Sequence, residues 1–279
     1  MALFRTYGPN PRTIISILQC PEDEADYIDD AINAATNLAK DFPRIFQQIE
    51  RANFSSDISK IFYLRPHPER RSKPVLSIPT SFLAKTLGVS VASQVAVQQN
   101  SFFSILTSHP SLRSAAGWLF ENYAHAYFSD KPMQVYHSDH PNPIFVPVPE
   151  RRIAGRTALK NIQSPFNFYW RPREPNYTGI DALIRSGNIV WALQFTISTS
   201  HCSSTDGLEK ARNDMGFKKN TDWRLVMVGT KLSDAVSARD NQRLTNGWEA
   251  TPVYACELPL GEFQEQSIID SLDEVSTNY

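Results

Sequence analysis

The sequence predicts an α/β protein in which a helical N-terminal region precedes a domain made of a helix, three or more strands, a second helix and a further strand. Three observations predict this class. Apolar residues recur at helical spacing through much of the chain before Asp130, and short runs typical of strands follow. The chain of 279 residues, 41% of them hydrophobic, is also long enough to bury a sizeable core.

The N-terminal region, residues 1–100, is predicted to be mainly helical. From Glu22 to about Arg51 the apolar spacing after Pro21 predicts one or two amphipathic helices, bent at Pro43. A shorter helix is predicted from about Ser81 to Leu87. Between them lies a proline-rich segment with four basic residues: Arg65, Arg70, Arg71 and Lys73. That segment indicates a solvated loop, with nucleic-acid contact as the alternative. We expect this region to bind a protein partner or to act as a linker.

The next predicted helix lies in "HPSLRSAAGWLFENYAHAYFSD". One stripe at helical spacing is apolar: Leu112, Ala115, Ala116, Leu119, Phe120, Tyr123 and Tyr127. The opposite side is not polar either, because small and aromatic residues flank Glu121 and His125. A helix covered on both sides would hold Glu121 in an apolar setting, and a buried carboxylate is costly unless it is paired, hydrogen-bonded or metal-bound. Glu121 is therefore a candidate for chemistry.

Extended segments are predicted at "MQVYHS", "NPIFVPVP", "FNFYWRP", "GIDALIRSG" and "NIVWALQFTIS". The turn at Ser186, Gly187 and Asn188 joins the last two as an antiparallel hairpin. A helix from about Asp206 to Phe217 and a buried strand at "WRLVMVGT" follow. The acidic C-terminal tail, residues 261–279, is predicted to be loose.

The second strand of this hairpin carries polar residues on one face. Alternation places Val190, Ala192, Gln194, Thr196 and Ser198 together, opposite Trp191, Leu193, Phe195 and Ile197. In a tight hairpin Asp181 lies near the Gln194 face, and a packed helix brings Glu121 to it, with His201 nearby. Hard cations such as Mg²⁺ or Mn²⁺ use such carboxylates, and they assist phosphodiester hydrolysis. Alternatively, Asp181 caps a turn after Gly179 and Gln194 satisfies backbone groups.

Three segments, "AAGWLFENYAHAYF", "NYTGIDALI" and "WALQFTISTSHCSSTDGLEKAR", resemble the C-terminal domain of the Crinkler and retrotransposon-hot-spot-like proteins of fungi and other eukaryotes. The resemblance runs from about Phe102 to Leu232, inside a predicted domain of residues 101–260. It implies a restriction-endonuclease-like core, in which a helix, a mixed central β-sheet, a helix and a strand follow one another. That superfamily usually carries a helical Glu, an Asp at the start of a hairpin and E-x-K on the next strand.

The resemblance implies a Mg²⁺-dependent or Mn²⁺-dependent nuclease, with DNA favoured as substrate. Glu121 and Asp181 match the two acids and would hold the metal with support from Gln194, while Thr196 and His201 would orient water or phosphate. The segment Gln194, Phe195 and Thr196 occupies the E-x-K place, so His201 or Lys210 would take over the role of the lysine.

Two alternatives accompany this reading. The first is an inactive module of the same fold that binds nucleic acid or a host protein as an effector or regulator. The second is a piece of a longer architecture, because relatives often carry an NTPase segment before this domain, while no G-x-x-x-x-G-K-[ST] motif is present here.

Basic residues flank the predicted site and are expected to form a rim that contacts phosphates, beside the aromatic residues of "FNFYW". They are Arg171, Arg173, Lys210, Lys218 and Lys219, with Arg151 and Arg152. Each taken singly also suits a solvated surface. The formal net charge of −1 argues against a protein that coats nucleic acid by bulk electrostatics.

Two further motifs, the "HSDHP" segment and Cys202, could carry chemistry. "HSDHP" could imitate a zinc site with His201 and Cys202, although its spacing is not a standard one and a polar loop is the alternative. Cys202 beside His201 is a candidate nucleophile without a specified activating partner. The three cysteines are widely separated, and neither a secretory signal nor a membrane-spanning run is present. These features predict an intracellular protein of the nucleus or cytoplasm.

Overall fold

The computed structural model describes residues 2–43, 55–66, 71, 74–94, 102–106, 108, 112–140, 142–162, 167–172, 179–197, 203–216 and 221–259. The chain divides into two compact units. The described residues of the first lie within Met1–Tyr123, and the second is Ala124–Pro259. No helix in the described ranges is both long and apolar enough to cross a membrane. The predicted tail, residues 261–279, lies outside the described residues.

The first unit is mainly helical. Its elements are α1 (Ala2–Tyr7), α2 (Pro11–Gln19), α3 (Asp23–Lys40), α4 (Ser56–Ile61), β1 (Tyr63–Pro66), β2 (Pro74–Ser77), α5 (Ser81–Ala92) and most of α6 (Arg113–Phe128). Side chains cap several of these helices. The side-chain oxygens of Asn10, Ser55 and Thr80 each accept one free backbone N–H in the first turn of α2, α4 and α5. Helix α5 extends beyond the predicted end at Leu87.

Small residues form the buried face of α3. The side chains of Ala31, Ala34, Ala35, Leu38 and Ala39 are buried, whereas Ile32 is 45% exposed. The prediction of an amphipathic helix after Pro21 is therefore confirmed over α3, and its inward stripe is narrower than the apolar spacing indicated. Alanines let neighbouring elements approach closely, and α4 and α5 pack against this helix. A bend was predicted at Pro43. Helix α3 ends at Lys40, and residues 44–54 lie outside the described ranges.

The proline-rich segment contains two short strands, which the sequence analysis did not predict. β1 and β2 pair antiparallel, with Arg65 opposite Val75. Of the four basic residues in this segment, Arg65 and Arg71 are described and exposed. β1 and β2 form a separate two-stranded sheet, and the Val75 and Leu76 side chains of β2 are buried.

The second unit is built on a six-stranded mixed sheet. Its elements are β3 (Met133–Val135), β4 (Ile144–Val146), β5 (Arg151–Ala154), α7 (Arg156–Lys160), β6 (Phe168–Arg171), β7 (Ala182–Ser186), β8 (Ile189–Phe195), α8 (Thr205–Met215), β9 (Asp222–Gly229), α9 (Leu232–Asn241) and β10 (Val253–Glu257). The strand order in the sheet is β10-β9-β8-β7-β6-β5, and β3 with β4 forms a separate pair. The predicted α/β class is confirmed.

Strand directions follow from the connections. β6, β7 and β8 form an antiparallel meander, and α8 then carries the chain to β9, which is parallel to β8. The short connections β5-α7-β6 and β9-α9-β10 also join parallel neighbours. Four of these elements, β5, α7, α9 and β10, were not predicted. β5, α7 and β10 have only four or five residues each, and α9, with ten, buries only the small side chains of Ala235 and Ala238, so its apolar periodicity is weak.

One large core lies against the face of the sheet that α8 covers. It contains Leu159, Phe168, Trp170, Ile180, Leu183, Val190, Ala192, Leu208, Ala211, Met215, Trp223, Leu225, Met227, Ala238 and Trp248. Val190 and Ala192 come from one face of β8, as the predicted alternation requires. The Trp170 indole N–H donates to the Gly155 carbonyl oxygen at 2.9 Å. Helix α7 is tied to α8 because the Arg156 Nε donates to both carboxylate oxygens of buried Asp214, at 2.8 and 2.7 Å.

Candidate functional site

The predicted hairpin is confirmed as β7 and β8. Ser186 pairs with Ile189, and the two-residue loop between them has a positive φ of 60° at Gly187 but not at Asn188. This combination is the type II′ pattern, which suits the right-handed twist of the strands. β8 is buried on both faces, since it lies inside the sheet with helices packed on it. The hairpin therefore holds its end residues in a fixed position.

Asp181 lies immediately before β7, next to the end of β8. Its backbone N–H donates to the Leu193 carbonyl oxygen at 2.8 Å, and its carboxylate Oδ2 accepts the Phe195 N–H at 2.6 Å. Phe195 separates Gln194 from Thr196. The expected proximity of Asp181 to this polar strand end is therefore observed. A carboxylate that accepts a backbone N–H is held in place without losing its charge.

Gln194 is buried, at 7% exposure, and points toward the start of α8. Its side-chain oxygen Oε1 accepts a hydrogen bond from the Ser204 hydroxyl. The Ser204 oxygen in turn accepts the Gln242 Nε2–H at 2.6 Å. We call these three residues the glutamine relay. It links β8, the start of α8 and the segment after α9, and it supplies the buried amide oxygen of Gln194 with a donor.

Thr196 continues the same face just beyond β8. Its backbone N–H donates to the Val228 carbonyl oxygen of β9 at 2.8 Å, and its side chain is buried. Gln194 and Thr196 are thus both placed on the α8 side at one end of the sheet. His201 lies outside the described residues. Lys210 lies in the second turn of α8 and is half-buried.

A close backbone contact brings the loop before Asp181 against the start of α8. Gly179 has a φ of 77°, and a Cβ atom built on it would lie 3.0 Å from the Ser204 Cα. Only glycine combines this conformation with that approach, because any other residue would place a carbon against backbone atoms. The contact joins the Asp181 loop to the glutamine relay.

Gly179→Ala is expected to destabilise the second unit by about 2–4 kcal/mol, as the sum of the left-handed backbone cost and the overpacking against Ser204. The matched control is Gly216→Ala. Gly216 has a φ of 61°, and a Cβ atom built on it would have no other atom within 4 Å. The control should lose only the free energy that a side chain costs in the left-handed backbone conformation, about 1 kcal/mol. Urea unfolding compares the two variants, and equal losses of unfolding free energy would show that the approach to Ser204 is not tight.

The segment from Gln242 to Trp248, which we call the strap, is attached to α8 at several points. The Ser203 hydroxyl donates to the Arg243 carbonyl oxygen at 2.8 Å, and the Thr245 N–H donates to the Thr205 hydroxyl at 3.1 Å. The Trp248 indole N–H donates to Glu209 at 3.2 Å. Hydrogen bonding from Arg212 lowers the pKa of Glu209, so this acceptor remains charged.

Glu121 belongs to α6 within the first unit, and its side chain is half-buried rather than enclosed. The other described residues of the predicted site, Asp181, Gln194, Thr196 and Lys210, belong to the second unit. The prediction that the Glu121 carboxylate is fully covered is therefore corrected. The helix has a partly open side at Gly117, Glu121 and Asn122.

Four of the basic residues predicted to contact phosphates are described: Arg151, Arg152, Arg171 and Lys210. Trp170 pairs with Leu183, so Arg171 at the end of β6 and Asp181 before β7 lie at the same end of the sheet. Strand alternation places Arg171 on the face opposite Trp170 and the α8-side core, whereas Asp181 shares the face of Leu183. The Arg152 guanidinium donates a hydrogen bond to the Asp130 carboxylate Oδ1 at 2.8 Å. Arg173, Lys218 and Lys219 lie outside the described residues.

The histidines of "HSDHP" pack on aromatic groups. The ring centroid of His137 lies 5.0 Å from that of Tyr254 and 5.6 Å from that of His140. Cys202 lies outside the described residues. Within the described part of the chain, no group of three or more His, Cys, Asp or Glu side chains is arranged to hold a metal ion.

The sequence analysis missed Ser204 and Gln242. Ser204 stands just before α8, where serine usually signals a helix start, and "SST" ahead of an apolar-periodic segment is such a signal. No local signal identifies Gln242, because its partner is 38 positions away. Comparisons of the chain with protein-family models, with curated proteins and with solved structures found no match.

Proposed function

We propose that the chain carries a restriction-endonuclease-like module that hydrolyses phosphodiester bonds of nucleic acid, with DNA favoured, in the presence of Mg²⁺ or Mn²⁺. The order of the antiparallel meander β6-β7-β8, the crossover helix α8 and the parallel strand β9 supports this proposal. So does the likeness to the Crinkler and retrotransposon-hot-spot-like domain. The proposed place of action is the nucleus or cytoplasm.

One observation carries the proposal: the Asp181 carboxylate accepts the Phe195 N–H, between Gln194 and Thr196. An acid at the start of a hairpin is thereby brought to the polar end of the next strand. This juxtaposition needs both the tight turn at Gly187 and the pairing of β7 with β8. In the proposed reaction, the carboxylate and the side chains of this strand end would act on one phosphate.

The donor set suits a hard divalent cation in chemistry. Asp181 offers a carboxylate and Gln194 an amide carbonyl, and Mg²⁺ commonly binds to one or two protein carboxylates while it keeps several waters. A bound cation of this kind neutralises charge that develops on the phosphate and lowers the pKa of water. The role of Glu121 as a further ligand stays a prediction.

The other residues act on the substrate and on water. Lys210 on α8 would bind a backbone phosphate, and Arg171, at the same end of the sheet as Asp181 but on its other face, would bind another. Thr196 and His201 would orient the attacking water. In the reaction water adds to phosphorus, one P–O ester bond breaks, and the leaving oxygen takes a proton.

The test uses the full chain with plasmid DNA, single-stranded DNA and RNA, in the presence of Mg²⁺, Mn²⁺ or EDTA. We expect cleavage of at least one substrate with a divalent cation and none in EDTA. Gel electrophoresis measures the products. Undiminished cleavage in EDTA would contradict the metal-dependent reaction, and intact substrates under all conditions would contradict hydrolysis.

A second candidate function is a catalytically inactive module of the same fold that binds nucleic acid or a host protein. The observation that favours it is the hydrogen bond from Ser204 to Gln194, which engages the side chain in the place of the E-x-K glutamate, while Thr196 stands in the place of the lysine. Fluorescence anisotropy with labelled oligonucleotides tests nucleic-acid binding. Binding that needs no cation, together with calorimetry that finds no Asp181-dependent Mg²⁺ binding, would favour this second function.

A further inference from the structure

We infer that Ser204 and Gln242 are positioning residues that fix the side-chain amide of Gln194 with its carbonyl oxygen held as the acceptor. The inference rests on the proposed function, in which that oxygen serves a divalent cation. The orientation of the Gln194 amide decides which group faces a cation, because glutamine has an oxygen on one side of its amide and an NH₂ group on the other.

The direction of the hydrogen bonds carries the inference. A serine hydroxyl has one proton to donate. Gln242 Nε2 donates to the Ser204 oxygen at 2.6 Å, so the Ser204 proton is available for the Gln194 Oε1. The relay therefore runs one way, from Gln242 through Ser204 to Gln194. While the Gln242 amide keeps its orientation, reversing the Gln194 amide would set an NH₂ donor against a hydroxyl that is already oriented to donate.

Burial makes this orientation costly to change. Ser204 is 0% exposed, Gln194 7% and Gln242 8%. Bulk water therefore cannot easily replace a lost partner, and a buried polar atom left without one costs about 1–3 kcal/mol. A difference of that size keeps one orientation of the amide in large excess over the other.

Ser204 also forgoes the usual role of a serine at its position. It is the residue before α8, yet its side chain makes no hydrogen bond to the helix N–H groups. The neighbouring Ser203 oxygen accepts the Thr205 N–H at 3.3 Å instead. A serine cap is worth about 1 kcal/mol to a helix, and at this position the hydroxyl is directed to Gln194.

The relay leaves the Gln194 oxygen able to act on a cation. A carbonyl oxygen has two lone pairs, and the Ser204 proton uses one of them. The fixed orientation keeps the NH₂ group, which would repel a cation, away from the oxygen's place. Outer-shell groups of this kind orient metal ligands, and their loss typically weakens metal binding by about 10–100-fold.

The test compares adjacent serines. Ser204→Ala removes the donor to Gln194, whereas Ser203→Ala removes a hydroxyl that also holds the strap but does not touch Gln194. Isothermal titration with Mn²⁺ measures the Kd, and thermal unfolding measures stability. We expect Ser204→Ala to weaken Mn²⁺ binding by about 10-fold or more and Ser203→Ala to leave it within about 2-fold. Gln242→Met should also weaken Mn²⁺ binding. This variant replaces Ser204→Ala in the test if Ser204→Ala does not fold.

A double-mutant comparison separates orientation from simple stability. Glutamate has two equivalent oxygens, so in the Gln194→Glu background the added Ser204→Ala change should shift the Mn²⁺ Kd by less than about 3-fold. A lower Tm with unchanged Mn²⁺ affinity in both Ser204→Ala and Gln242→Met would overturn the inference alone. Absence of Asp181-dependent Mn²⁺ binding in the native protein would overturn the proposed metal site and the inference together.

Discussion

Asp181→Asn abolishes cation-dependent cleavage and leaves the protein folded: this is the expected result with the largest effect on function. Asparagine keeps a side-chain oxygen that can accept the Phe195 N–H, so the loop before β7 should be preserved. The substitution removes the negative charge that a divalent cation needs. We expect a loss of at least about 1000-fold in rate, the scale on which removal of a central catalytic group acts.

The matched control is Asp240→Asn. Asp240 is an exposed acid of the same unit that pairs with Arg239 at 2.8 Å, and it has no place in the proposed site. Initial rates on plasmid DNA with Mg²⁺, together with circular dichroism and Tm, should be compared for the native protein and both variants. Full activity in Asp181→Asn would remove Asp181 from the mechanism. An equal loss in Asp240→Asn would indicate a general charge effect instead.

Trp170→Ala is expected to have the largest effect on stability. Trp170 is 0% exposed and belongs to the core on the α8 side of the sheet. Truncation creates a cavity and also removes the donor to the Gly155 carbonyl oxygen. Substitution of a buried aromatic residue by alanine lowers the free energy of unfolding by about 3–5 kcal/mol, and this figure includes the cost of the lost hydrogen bond.

Two further variants control this prediction. Trp170→Phe keeps most of the apolar volume and should lose about 1–2 kcal/mol, mainly from the indole N–H. Phe145→Ala removes an aromatic side chain that is 69% exposed and should change stability by less than about 0.5 kcal/mol. The chain holds two units, so the unfolding of the second unit should be measured separately. Hydrogen exchange of the β7 and β8 backbone amides across a urea series reports on that unit. A Trp170→Ala midpoint equal to that of Phe145→Ala would contradict the assigned core.

Local patterns accounted for the elements that carry the site. The hairpin β7-β8 was predictable because Gly187 permits the turn and because alternation separates Gln194 and Thr196 from Phe195. Helix α8 and strand β9 were predictable from apolar spacing of sufficient length. The elements β5, α7 and β10 were not, because four or five residues give too little periodicity to distinguish them from loops, and α9 was not because its buried side chains, Ala235 and Ala238, give only a weak apolar pattern.

The sequence by itself therefore determined the α/β class, the hairpin and the place of Asp181 at its start, since these depend on neighbours a few positions apart. Only the tertiary structure decided what Gln194 contacts. Its donor Ser204 is 10 positions away, and the Gln242 that orients Ser204 is 38 positions further. Such contacts arise when α8 and the strap pack on the sheet, because burial leaves polar groups no water and forces them to find each other.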